Sequence, residues 1–249
     1  MSDLIEDDGW ASLRRFTPAR IALGRAGHSV PTAELLRFGL AHARARDAVH
    51  LAYEPALLID RLEQLDTRSV VVHSAASDRG QYLRRPDLGR RLREDSATEL
   101  AAYRQHPPPQ LCLVVGDVLS AQAIHRHALP MLELLIPAFV EHGLTLGPVV
   151  IAQQSRVALA DEIGERPGLS SPDSLGIYLT YDPHVGRVDS ERNCISNVRP
   201  EGLAFKRAAN QATFLVREAL RLKLSGVKLK DDSQTRAIDA QLAIRRIGS

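Results

Sequence analysis

The sequence predicts an α/β protein: a helical N-terminal region followed by a mostly parallel, Rossmann-like sheet with helices on both faces. Short β-branched runs recur after residue 67, helical stretches separate them, and the chain is long enough to bury a core. Its 249 residues carry 44% apolar, 25% charged and only 4% aromatic side chains, so Leu, Val, Ile and Ala must fill the interior. Short β-branched runs favour buried strands, and strands alternating with helices make a layered sheet.

Residues 1–15 read as a short amphipathic helix that stops at Thr17-Pro18. ARIALGRAG (19–27) is compact and glycine-punctuated. Pro31-Thr32 opens a helix whose Leu35, Leu36, Leu40 and Ala43 repeat at helical spacing. Pro55 opens another, with Leu57, Leu58, Leu62 and Leu65 as its stripe. The first 66 residues are therefore a helical region. Four strands follow, at Ser69–Ser74, Leu111–Val115, Leu146–Gln153 and Ser174–Tyr181. Helical stretches at Asp87–Arg104, Ser120–His127 and Pro130–His142 lie between them. A last amphipathic helix runs from about Gly202 to Ser225, with Phe205, Ala209, Ala212, Leu215, Ala219 and Leu222 on one face and Gly226 as its C-cap. The α/β domain spans 67–230, and 231–249 is a polar tail.

Composition narrows the function. The 32 Lys and Arg nearly balance the 30 Asp and Glu, for a net charge of +2, which argues against a dedicated nucleic-acid binder. Two cysteines, Cys112 and Cys194, suit a reducing cytosol. The acidic start MSDLIEDDGW lacks the regions of a signal peptide, and no charge-free apolar run reaches the ~18 residues of a membrane span. The chain reads as cytoplasmic.

The common catalytic signatures are missing: no G-x-x-x-x-G-K-[ST], no G-x-S-x-G, no H-E-x-x-H, and no G-x-G-x-x-G after a strand. LVVGDVLSA (113–121) is the nearest approach to a strand-to-helix phosphate turn. Its plain reading is a loop capped by Asp117; its sharper one is a helix start whose free N–H groups hold a polar ligand. His125 and His127 cannot share a helical face, and no histidine pairs with a cysteine at metal-ligand spacing. Arg79–Arg93 holds six arginines and one aspartate; Lys206–Lys230 holds seven basic residues and one glutamate. These are solvated helix faces or a docking surface for an acidic partner. Asp161–Leu175 packs carboxylates, glycines and prolines into a loop where α/β proteins bind ligands. Ser190–Pro200 sets Cys194 among Asn193 and Asn197. That cysteine is a buried small hydrophobe, or lines a site for a large amide-rich ligand.

These stretches resemble the light (small) subunit of ethanolamine ammonia-lyase. FTPARIALGRAGHSVPT, YLRRPDLGRRL, GDVLSAQAI, SRVALADEIGERPGLSSPDSLGIYLTYDP, ERNCISNVRPEG and ALRLKLSGVKLK carry the resemblance, from about residue 16 to 230. GERPG followed by CISN is its most specific feature. The resemblance implies a hetero-oligomer with a TIM-barrel heavy subunit that holds ethanolamine. Adenosylcobalamin lies between the two, and its radical chemistry converts ethanolamine to acetaldehyde and ammonia. No catalytic residue and no metal ligand is expected on this chain, which covers the cofactor. No D-x-H-x-x-G motif is present, which fits a base-on cofactor.

The resemblance places three cofactor contacts here, at Val157, Glu165 and Cys194. Val157 offers apolar or backbone contact to the corrin, Glu165 accepts hydrogen bonds from amides or ribose hydroxyls, and Cys194 packs against the cofactor edge. Two departures stand out. In the family D-x-I-G-E and G-E-R-P-G are separate, with about a dozen mostly apolar strand residues between them, whereas here Gly164-Glu165 serves both; losing such a strand exposes apolar neighbours. Val118 stands where a D-G-L-S turn has glycine, a poor fit if the backbone there is left-handed. Three functions therefore remain open: a cofactor-binding lyase subunit, a non-catalytic interaction subunit that has lost cofactor binding through the internal deletion, and, last for want of a phosphate-binding fingerprint, a standalone α/β enzyme acting on a nucleotide-like ligand. Family members that enter bacterial microcompartments often carry a longer N-terminal extension. The 15 residues here favour the open cytoplasm and leave packaging as the alternative.

Overall fold

The structure, a computed structural model, describes residues 5–6, 8–17, 19–103, 107–164, 168–169 and 174–233. The chain forms two compact units, Met1–Asp47 and Ala48–Ser249.

In the first unit the expected N-terminal helix is a 3-10 helix, Ala11–Phe16. Antiparallel bridges join Glu6 to Arg25 and Ala26 to Ser29. Helix α1 (Thr32–His50) starts at Pro31, whose carbonyl accepts from the amides of Glu34 and Leu35. Pro31 is the only buried residue among those described from 5 to 47. The predicted stripe is present but uncovered: Leu35, Leu36 and Leu40 are 61%, 68% and 52% exposed.

In the second unit, α2 (Ala56–Gln64) buries Leu58 and Leu62, while Leu57 and Leu65 of its expected stripe are exposed. Strands β1 (Ser69–His73), β2 (Val114–Gly116) and β3 (Val149–Gln153) pair in parallel. Their residues alternate between two cores. Val115, Val149 and Ile151 face α5 (Ala121–Glu141) and α7 (Phe205–Leu222), and Val70, Val72, Val114, Val150 and Ala152 face α6 (Leu159–Gly164) through Leu159, Ala160 and Ile163. Each such side chain contributes about 1.5–3 kcal/mol when taken fully out of water.

The expected mostly parallel sheet is a mixed one, of order β1-β3-β2-β4-β5-β6. A short β4 (Gly168–Leu169) lies parallel to β2, but β5 (Leu175–Thr180) and β6 (Arg192–Val198) run antiparallel. The expected strand Ser174–Tyr181 thus joins the sheet in antiparallel pairings. Ser190–Pro200, expected as a loop, is mostly strand.

The helices also depart from expectation. α5 runs unbroken through Pro130 and Pro137. Each proline removes an intrahelical bond, and the buried stripe of Ala128, Met131, Leu132, Leu135 and Phe139 holds the helix against the sheet. α3 (Arg79–Arg84) was unread, and the stretch from Asp87 splits into a 3-10 turn at Leu88–Arg90 and α4 (Glu94–Ala102). α7 ends at Lys223, with φ +56° and its N–H on the carbonyl of Ala219, so Gly226 is not its cap. Of the tail, 234–249 lies outside the described residues. No helix among those described is long and apolar enough to cross a membrane.

Candidate functional site

Val157 is half-buried in the turn between β3 and α6. The turn is closed by its own backbone: the amides of Leu159 and Ala160 donate to the carbonyls of Arg156 and Val157 at 2.8 and 3.1 Å. Three further contacts fix it. The Arg156 amide donates to the Gly89 carbonyl at 2.7 Å, the Tyr82 hydroxyl to the Ser155 carbonyl at 3.1 Å, and the Ser155 amide to Asp117 Oδ1 at 3.0 Å.

Asp117 thus has a role the sequence did not show. The cap of α5 is Ser120, whose hydroxyl oxygen accepts from the Ala123 amide at 3.2 Å. Asp117 instead joins β2 to the turn after β3. Its carboxyl is buried, which pushes its pKa up against the pull of the Ser155 amide and the Arg79 charge. Arg79 Nη1 lies 3.4 Å from Asp117 Oδ2 but 2.9 Å from the Val118 carbonyl. Arg79 and Arg156 both lie against the Tyr82 ring, at 4.6 and 4.5 Å from its centroid, and burial pushes the Tyr82 hydroxyl up to about 12.

The turns at this edge are left-handed without glycine. Val118 has φ +32° and Gln154 has φ +53°. The suspected misfit at Val118 is real, and a β-branched residue there is an outlier. Gly116 is confined as well: a Cβ on it would sit 2.3 Å from Ser155 Oγ.

Cys194 lies in β6, paired with Tyr178 of β5. It is exposed, not buried as the plainer reading had it, whereas its neighbour Ile195 is buried in the core under α5 and α7. Alternation puts Arg192 and Cys194 on the opposite face, the one that α6 covers in part. Partial burial pushes the Cys194 thiol up, and a contact with Tyr178 pulls it partly back. Such a thiol stays protonated, which favours packing over nucleophilic attack. Asn193 faces the other way: its Nδ2 donates to the carbonyls of Gly226 and Leu229, and its Oδ1 accepts from the Gly226 amide at 2.7 Å.

One buried ion pair links the two segments. Arg192 Nη1 and Nη2 donate to Asp161 Oδ1 and Oδ2 at 2.6 and 2.7 Å, with the side chains 4% and 3% exposed. Asp161 is in α6, one turn after Val157. Arg192 is in β6, two residues before Cys194. Neither was singled out individually from the sequence, and the signal that could have found them is an acidic residue on a short helix with an arginine at a strand start.

Glu165 lies outside the described residues, as do 166–167 and 170–173. Of the expected loop from Asp161, the first four residues are helix α6; Glu162 there accepts from the Leu92 amide at 2.7 Å. In the basic stretches Arg85, Arg93 and Arg221 pair with Asp87, Asp95 and Glu218 on the surface, contacts worth about 0–1 kcal/mol each. No group of three or more His, Cys, Asp or Glu placed to hold a metal lies among the described residues.

A cavity of about 30 Å³ lies in the core under α5 and α7, lined by Leu113 before β2, Ile177 and Leu179 of β5, Ile195 of β6, Phe139 and Leu215.

Comparison with known proteins adds a family. The family model described as ethanolamine ammonia-lyase light chain (EutC) matches residues 7–230. The chain is similar to the ethanolamine ammonia-lyase small subunit of Pseudomonas putida F1, 53% identical over 248 residues with 94% of this chain and 91% of the relative covered. The Xanthomonas campestris pv. campestris ATCC 33913 protein of the same name is 55% identical over 241 residues, at 91% and 89% coverage, and that of Azotobacter vinelandii is 52% identical over 248 residues, at 94% and 92%. Since 94% of 249 residues is about 234, the 248-residue alignments contain about 14 positions that this chain lacks.

Proposed function

The chain belongs to the ethanolamine ammonia-lyase light-chain family, and from that premise we propose that it is the light subunit of a carbon–nitrogen lyase, covering adenosylcobalamin against a TIM-barrel heavy subunit that deaminates ethanolamine to acetaldehyde and ammonia. The match over residues 7–230 carries this reading. When bound, adenosylcobalamin supplies the radical chemistry through its cobalt–carbon bond; this chain supplies surface, orientation and exclusion of water.

The residues present fit such a group. Val157 is half-buried in a turn held from Asp117, Tyr82 and Gly89, a firm edge for a flat macrocycle. Cys194 offers a neutral, accessible thiol on the α6 side of the sheet. Glu165 completes the proposed set as an acceptor for amide or ribose donors. No residue of this chain is assigned a proton transfer or a bond-making step.

A heavy-subunit partner also accounts for the uncovered first unit. Trp10, Phe16, Leu35, Leu36, Phe38 and Leu40 are all more than half exposed, and apolar surface on that scale marks an interaction site.

The second reading, an interaction subunit that has lost cofactor binding, rests on this core cavity and the 14 or so absent positions. We place those positions beside Glu165, where the two G-E pairs are merged. Co-expression with an ethanolamine ammonia-lyase heavy subunit decides between the two. Cofactor-dependent acetaldehyde formation is expected. A stable pair that retains no cobalamin overturns the first reading in favour of the second.

A further inference from the structure

We propose that Asp161 and Arg192 form a positioning pair for the cofactor, locking the Val157 turn and the Cys194 strand into one surface. The inference rests on the cofactor-covering reading and adds to it two residues that act without touching the cofactor.

The geometry is that of a strut. A guanidinium facing a carboxylate through two parallel hydrogen bonds fixes both separation and rotation. Both terminal nitrogens of Arg192 carry a second bond: Nη1 donates to Thr180 Oγ1 at 3.3 Å, and Nη2 to the Arg187 carbonyl at 2.8 Å, while Nε makes no hydrogen bond. Asp189, exposed, lies 3.7 Å from Nε. The cation is therefore held from β5, from the turn before β6 and from α6 together.

Each end of the strut joins a stiff element to a proposed contact. Asp161 sits in the first turn of α6, and the Ala160 amide before it donates to the Val157 carbonyl. Arg192 and Cys194 share one face of β6, whose partner strand supplies Tyr178 and Thr180 beside them. A displacement at either charge passes to both contacts.

Stability alone does not explain the pair. Its neighbours on α6 are Leu159, Ala160 and Ile163, all buried and apolar, so an apolar residue would pack in the place of Asp161. Replacing both members of a buried ion pair by apolar residues of similar volume is often neutral or stabilising, whereas removing one is costly. What the pair adds over an apolar contact is fixed geometry.

That asymmetry supplies the test. The pair of subunits is reconstituted with wild-type chain, Arg192→Met, Arg192→Lys and the double variant Asp161→Leu/Arg192→Met. Thermal stability and equilibrium dialysis of cyanocobalamin are measured on each, followed by the adenosylcobalamin dependence of turnover. The single Arg192→Met variant loses both stability and binding. The double variant regains most of the lost melting temperature, yet its half-saturating cobalamin concentration stays about tenfold above wild type, the scale expected when a reacting group is mispositioned by a fraction of an ångström. Half-saturation rises by more than kcat falls. If the double variant fails to fold, Arg192→Lys decides: the charge is kept, the two-pronged contact is lost, and half-saturation rises several-fold. Recovery of binding together with stability in the double variant, or wild-type binding in Arg192→Lys, overturns the proposal and leaves the cofactor reading intact. A wild-type pair that binds no cobalamin overturns the cofactor reading itself, and this inference with it.

Discussion

Asp161–Arg192 and Asp117–Arg79 use the same two side chains, both lie under the surface, and both tie the stretch after β3 to another part of the sheet, yet they do different work. In the first, two bonds of 2.6 and 2.7 Å join the charges directly. In the second the charges are 3.4 Å apart, and their better contacts are with backbone: Asp117 takes the Ser155 amide at 3.0 Å and Arg79 gives to the Val118 carbonyl at 2.9 Å. The first is a strut between elements. The second braces two left-handed turns, at Val118 and Gln154, that local sequence preference would not adopt. A buried aspartate and arginine can therefore serve each other, or each can serve the main chain.

The largest effect should come from breaking the strut on one side. Asp161→Asn or Arg192→Met leaves a buried charge without its partner, and about 3–5 kcal/mol of unfolding free energy should be lost, read from urea denaturation. Asp117→Asn keeps an acceptor for the Ser155 amide and should cost about 1–2 kcal/mol, near the scale of one hydrogen bond to a charged group. Equal losses would erase the distinction drawn here.

Gly116→Ala should come next. Its Cβ would meet Ser155 Oγ at 2.3 Å, so that hydroxyl must turn away from the Ala152 carbonyl it donates to, at about 1 kcal/mol. Val118→Gly should change stability little, since relief of about 1–3 kcal/mol of backbone strain offsets the loss of a buried isopropyl group of similar size. A loss of about 3 kcal/mol or more in Val118→Gly would show that the left-handed turn carries no strain.

The smallest effect is in pH. Burial raises the pKa of Asp117 above its usual 3.8, so the folded chain binds this proton more tightly than the unfolded chain does. Its contribution to stability is complete below pH 3.8 and is lost as pH rises through the folded-state value. Asp117→Asn removes that loss, so its deficit against wild type should shrink as pH rises from about 3.8 toward neutrality, read from urea midpoints. A deficit that grows over that range contradicts the assignment.

What the sequence revealed follows physical lines. Val114–Val115 and Val149–Ile151 are continuous β-branched runs buried on both faces, Val70–Val72 is an edge run buried at alternate residues, and all three were legible as strands. β6 was not, because Arg192, Asn193, Cys194 and Ser196 give it a polar composition; its place comes from pairing with β5 and from Arg192 reaching Asp161. Pro130 of α5 read as a break, and the buried stripe on either side overrides it. Val118 was named as a misfit from the family resemblance, which has glycine there, and its left-handed backbone bears that out. Asp117 looked like a helix cap and proved to be a brace, since its partner Ser155 lies 38 residues away and no local pattern announces it. Val157 and Cys194 were named from the family resemblance alone, and the Asp161–Arg192 bond between the elements that carry their neighbours became visible only through the fold.

The cofactor-covering role is tested most directly by the cobalt content of the reconstituted pair, purified after incubation with adenosylcobalamin and freed of unbound cofactor. One cobalt per light chain is the predicted result. A stable heavy–light complex with no bound cobalt would contradict it.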